Sequence, residues 1–167
     1  MGKLNLKELY KSFSENLLSY LHLVEDEFIE ITEYVNTLKN IKPFILDVRE
    51  STSVQKSLNL TVIISYTRCF TNNYGFYNTK EVNDILISEF TNGELDLHKK
   101  IKKMRNQQFA HSDASAHDIQ IYDEGFYTHS MKVVRENLEI DELELLSNMI
   151  HKIRNQIDIQ IKDIEPL

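Results

Sequence analysis

LKELYKSFSENLLSYLHLVEDEFIEITEYVNTL, residues 6–38, decides the fold class. From Leu6 its apolar residues fall at Leu9, Phe13, Leu17, Leu21, Val24, Phe28, Ile31, Val35 and Leu38. Steps of three and four place them along one face of a helix, whose period is about 3.6 residues. Glu25, Asp26, Glu27, Glu30 and Glu33 lie mostly on the other face and read as a solvated acidic surface rather than a carboxylate metal site. Pro43 keeps the segment from continuing.

Working outward, only four glycines and two prolines interrupt 167 residues, which favours long helices over a strand-rich fold. A second helix is expected from caps among residues 51–53 through Leu58, Leu60, Val62, Ile63 and Tyr66 to Phe70. Being apolar on most sides, it is assigned to the centre of a bundle. After a loop at 71–75, Asn78 or Thr79 caps a short helix over 80–90, with a break at Thr91-Asn92-Gly93. A further helix spans about 94–110. The segment 118–134, rich in β-formers around Asp123-Glu124-Gly125, reads as a β-hairpin laid on the bundle. A last helix starts at Asp141 and carries Leu143, Leu146, Ile150, Ile153, Ile157 and Ile161 on its inner side. The expectation is one all-α domain over 1–167: an antiparallel bundle of four to five helices with a small β-hairpin insertion before the last.

Length and composition narrow the function classes. The chain is long enough for one core. A formal net charge of −7 speaks against a nucleic-acid coat over the whole surface, yet leaves room for a local basic patch. Cys69 is the only cysteine, so neither an intrachain disulfide nor a Cys-based zinc site is supported. No signal-peptide core or membrane span is visible, and Lys7 stands where a myristoylation signal wants Ser or Thr. A cytoplasmic protein without membrane contact is expected. His22, His117, His129 and His151 have no ligand-like spacing, so neither a metal nor another cofactor is assigned.

The chemistry is concentrated in residues 98–113, HKKIKKMRNQQFAHSD. Arg105 and Asn106 precede His111, behind a basic shoulder of Lys99, Lys100, Lys102 and Lys103. An Arg with a His at this distance is weak by itself, since about half a match arises by chance in such a chain. The flanking residues sharpen it. Leu97-His98, then Met104-Arg105-Asn106, then Ala110-His111-Ser112-Asp113 resembles the HEPN superfamily, especially bacterial abortive-infection and toxin-type members. Their late helix reads L-H, a gap, then L-R-[DN]-x-x-x-A-H-S-D, with Met104 here in place of the usual Leu. Residues 64–70, ISYTRCF, look like the second core helix of that group, so the resemblance covers about half the chain, from Leu58 to Asp113.

The resemblance implies a HEPN-like bundle and RNA cleavage without metal, in a cleft shared by two protomers. His, with an ordinary pKa near 6.5, suits acid or base work near neutral pH. An always-protonated guanidinium suits the charge that builds on phosphate oxygens. His111 is therefore the expected acid/base, Arg105 the phosphate stabiliser and Asn106 the orienting residue. RNA-binding or supporting roles fall to His98, Lys99, Lys102, Lys103, Ser112 and Asp113, with His98 read as structural or supportive rather than catalytic. Partners implied are RNA, a second copy of the chain, and an antitoxin or other defence-system protein. HEPN toxins paired with a nucleotidyltransferase usually carry Tyr where Asp113 stands, which puts that mode of control in doubt. Helix phase sets His111 roughly 120° around from Arg105, so one straight helix does not make a dyad. A bent helix end or a second protomer would. The competing reading is a non-catalytic HEPN module that binds RNA, nucleotide or a partner protein. The aromatic run Tyr74, Phe76 and Tyr77 reads as packing over the bundle before it reads as a base-stacking loop.

Overall fold

A computed structural model describes residues 6–71, 80–109, 120–123, 128–131 and 137–164, with side chains described at 17–71, 80–106 and 137–164. The elements in chain order are α1 (Leu6–Lys39), α2 (Ser53–Arg68), α3 (Lys80–Leu86), α4 (Asn92–Phe109), β1 (Gln120–Asp123), β2 (Thr128–Met131) and α5 (Ile140–Ile164). The described part is mostly helical, as the scarcity of helix breakers predicts.

Two long amphipathic helices make the frame. On α1, Leu17, Leu21, Val24, Phe28, Ile31, Val35 and Leu38 are all buried, as the spacing requires. On α5 the buried row is Leu143, Leu146, Met149, Ile150, Ile153, Ile157, Ile161 and Ile164. Each such side chain withdrawn from water contributes about 1.5–3 kcal/mol, opposed by chain entropy. Lys39 of α1 pairs with Glu144 near the start of α5, while Leu17 and Leu21 share a crevice with Gln160 near its end. The two helices are therefore antiparallel. Glu94 of α4 meets Lys152 of α5, and Lys100 meets Glu142, so these two also run in opposite directions.

α2 departs from expectation. Leu60, assigned to the centre of the bundle, is 39% exposed, and Val54 is 63% exposed. The inner face instead carries two amides, Gln55 and Asn59, ahead of Val62, Ile63 and Tyr66. These amides satisfy the backbone of two connecting segments. Gln55 Nε2 donates to the Ile45 carbonyl at 2.6 Å, and its Oε1 accepts from Ile45 N at 3.3 Å. Asn59 Oδ1 accepts from Leu138 N at 3.0 Å. Asn137 closes the arrangement, donating from N to the Leu46 carbonyl at 2.8 Å and from Nδ2 to the Ile45 carbonyl at 2.9 Å. Buried polar groups persist where they are hydrogen-bonded, and here they tie the α1–α2 connection to the approach of α5. Thr52 caps α2, its side chain accepting from Gln55 N, within the stretch expected to supply the cap.

Boundaries moved elsewhere as well. α3 stops at Leu86 instead of reaching 90, and α5 begins at Ile140. The expected break at 91–93 is a helix start. Thr91 N donates to Glu94 Oε2 at 2.6 Å, and Thr91 Oγ1 accepts from Glu94 N at 3.4 Å, a reciprocal capping box. Asn92 and Gly93 thus fall inside the first turn of α4. β1 and β2 pair antiparallel, in the register Gln120↔Met131 to Asp123↔Thr128. Of the expected turn Asp123-Glu124-Gly125, Asp123 is the last residue of β1, while Glu124, Gly125 and the aromatic run at 74–77 lie outside the described residues.

Candidate nucleic-acid interface

α4 holds most of the residues that the sequence marks out, and it has two different sides. Glu94, Leu97, His98 and Ile101 recur at the spacing of one helix face, and all four are buried. Lys99, Lys102, Lys103 and Asn106 are exposed on the opposite side.

His98 belongs to the interior. It is 7% exposed, and its Nδ1 shares a 2.9 Å hydrogen bond with the Tyr66 hydroxyl. The ring stands edge-on to Phe70 at 4.8 Å and 88°, with Tyr66 at 5.8 Å and Phe90 at 6.3 Å completing an aromatic cage. Burial, with a smaller push from Lys102 and Lys99, lowers its pKa to about 4. His98 is accordingly neutral at pH 7. Of the two roles expected of His98, RNA contact or support, this geometry suits support: the ring fixes α4 against α2 and, being neutral, is no counter-charge for phosphate. Burial also pushes the Tyr66 hydroxyl well above its usual range, with Cys69 and Glu94 adding to the effect.

Glu94 is the second buried polar anchor. Burial pushes its carboxyl up, but hydrogen bonds from Lys152 and Thr91 outweigh this and hold it below the usual carboxylate value. Lys152 Nζ reaches Glu94 Oε2 at 2.7 Å and donates to the Glu89 carbonyl at 3.2 Å. α4 is thereby fixed at its start by a cap and an ion pair, and in its middle by the His98 cage.

The basic shoulder is not uniform. Lys100 turns back to Glu142 of α5 and belongs to the framework. Lys99 pairs with Asp96 at 3.4 Å, both side chains more than 70% exposed, a geometry that contributes little. Lys102 and Lys103 are exposed and make no ion pair among the described residues. Arg105 is half-buried at the far end, and its Nη1 donates to Asn106 Oδ1 at 3.2 Å. The structure therefore brings Arg105 and Asn106 together: in helix phase Asn106 falls on the exposed side between Lys102 and Lys103, whereas Arg105 falls with the buried row of His98 and Ile101. His111, Ser112 and Asp113 lie outside the described residues, so their relation to Arg105 is not part of this geometry.

Sequence reading underrated the residues that set this helix in place. Tyr66 and Phe70 were recognisable as core, but their partnership with His98 was legible only through helix phase: His98 shares its face with Leu97 and Ile101. Glu94 could have been found by its position three residues after Thr91. Comparison with protein-family models, with curated proteins and with solved structures finds no match to this chain. Among the described residues no three His, Cys, Asp or Glu side chains could together hold a metal ion, and no described helix is long and apolar enough to cross a membrane.

Proposed function

We propose that the chain is a HEPN-type, metal-independent endoribonuclease acting as a homodimer, an effector of a toxin or phage-defence system. The observation that carries the reading is the juxtaposition on α4. The guanidinium of Arg105 donates to the exposed amide of Asn106, which shares the outward side of the helix with Lys102 and Lys103, neither of them in an ion pair among the described residues. Together with the A-H-S-D run that ends at Asp113, this supplies groups suited to a phosphodiester and a surface suited to its backbone.

In the proposed reaction His111 accepts the proton of a ribose 2′-OH. The 2′-oxygen attacks the adjacent phosphorus, and the 5′-oxygen leaves with a proton from a general acid. The products are a 2′,3′-cyclic phosphate and a 5′-hydroxyl end. Arg105 stabilises the charge on the phosphate oxygens, and Asn106 orients the phosphate or the imidazole. A two-fold axis would supply the second acid/base group from the partner protomer. An antitoxin or other defence-system protein would restrain or trigger the site.

The test incubates structured RNA with the purified protein in EDTA, beside Arg105→Ala and His111→Ala variants. Cleavage by wild type alone, leaving cyclic phosphate ends, is the expected result. Equal silence from all three proteins, with the dimer intact by light scattering, would assign the chain to non-catalytic binding. Activity abolished by EDTA would overturn the metal-free mechanism.

A further inference from the structure

α2 is the helix whose outward side differs most from the rest of the surface. It packs inward through Tyr66 and Phe70, which meet Phe28 of α1 and His98 of α4. On the opposite side Val54, Ser57, Leu60, Thr61 and Ile64 fall within an arc of about 120° and span about 15 Å of helix axis. Val54 is 63% exposed and Leu60 39%, while Thr61 and Ile64 are half-buried. A helix apolar on most sides is ordinarily covered on most sides. In the single chain this side stays open.

Charge selects what fits there. α2 contains no Asp or Glu, in a chain that has 26 of them. Its two cations are engaged internally: Lys56 Nζ donates to the Arg49 carbonyl at 3.2 Å, and Arg68 pairs with Glu27. A two-fold axis sets a surface against its own copy, so a surface of one sign meets that same sign. The outward side of α1 carries Asp26, Glu30 and Glu33, and that of α4 carries Lys99, Lys102 and Lys103. Either would oppose like charges across such an axis. On α5 Asp158, Lys162 and Asp163 are exposed around Ile159, and covering them costs desolvation. Between Val54 and Ile64 the outward arc of α2 offers its copy only hydroxyls and aliphatic groups.

We infer that the outward strip of α2, centred near Leu60, is the surface through which two copies of the chain pair about a two-fold axis. This pairing rests on the homodimer of the proposed function and gives it a surface. One helix strip is smaller than the roughly 800 Å² per partner of a stable complex, so the dimer is reversible and depends on concentration. α2 also holds α4 through the His98 cage, so pairing on α2 fixes the two α4 helices relative to one another.

Sedimentation velocity over about 1 to 500 μM protein tests the surface, a range that covers a reversible dimer. Wild type should pass from monomer to dimer. Leu60→Glu brings two carboxylates to the axis and should weaken pairing by about 10-fold or more. Val54→Glu should act in the same direction, and its carboxylate suits the first turn of α2, which keeps the helix folded. Ile159→Glu, an equal change on α5, should leave pairing within about 2-fold of wild type. A mixture of Leu60→Glu with Leu60→Lys should associate more tightly than either variant alone. Wild type that stays monomeric throughout would assign the strip to a different partner and overturn the pairing. Dimers indifferent to both α2 variants, or equally disrupted by Ile159→Glu, would overturn it as well, as would a mixture no tighter than its components. A dimer lost through Leu60→Glu in a protein that never cleaves RNA would sink the nuclease reading and leave the α2 contact standing. Cleavage by a dimer that both α2 variants leave intact would do the reverse.

Discussion

The two sides of α4 divide labour between folding and recognition. The inner side presents Leu97 and Ile101 to the core, together with two polar groups whose hydrogen bonds are internal. The outer side presents lysines, of which only Lys99 has a described partner, and that pair is open to water. Substitution on the inner side should therefore cost stability and leave the surface chemistry alone. Substitution on the outer side should do the opposite. A helix whose two sides failed to separate in this way would not be the preformed platform described above.

The strongest challenge to the comparison is Ile101→Ala. Ile101 has no exposed surface, so the change removes buried methyl groups and leaves a cavity. A loss of about 2–5 kcal/mol in urea unfolding is expected. A loss below 1 kcal/mol would mean that α4 is not clamped as its burial indicates.

His98 comes next and responds to pH. Its folded-state pKa, about 4, lies below its ordinary 6.5, so the unfolded chain takes up the proton first. The contribution is complete above about pH 6.5 and is lost as pH falls through 4, amounting to roughly 3 kcal/mol. Glu94, held below its usual carboxylate value by Lys152 and Thr91, shifts stability in the same direction, so the His98 share is read from the difference in pH slope between wild type and His98→Gln. Parallel slopes between pH 4 and 6.5 would contradict the buried, neutral ring. Thr91→Ala removes one half of the capping box and is expected to cost about 1 kcal/mol at any pH in that range.

What could be read beforehand follows from the same contrast. On α1 and α5 nearly every inward position is aliphatic or aromatic, so periodicity marks the buried face directly. On α2 the inward positions include Gln55 and Asn59, whose partners are backbone groups 10 and 79 residues away along the chain. No local pattern encodes such bonds, and the outward Leu60 made the helix look apolar all round. Thr91-Asn92-Gly93 marks the boundary before α4, but its last two residues fall inside the helix because the residues that break helices also start them. At the candidate site, the placement of Arg105 and Asn106 near the end of a helix was legible. The burial of His98 was hidden by its charged neighbours, although its phase with Leu97 and Ile101 pointed inward.

The smallest stability effect is expected from Lys102→Gln combined with Lys103→Gln, and this makes it the sharpest test of the outer side. Neither lysine makes an ion pair among the described residues, so removing both charges deletes no described contact. The remaining effects are weak. Lost lysine–lysine repulsion favours the folded state and would also let the His98 pKa rise, since Lys102 helps depress it. Glutamine and lysine have similar helix propensity, so the backbone contributes little. The unfolding midpoint should shift by less than about 0.5 kcal/mol, while the salt dependence of oligonucleotide binding collapses. A double variant destabilised as much as Thr91→Ala would show that the lysines are part of the framework. The separation between the two sides of α4 would then be lost.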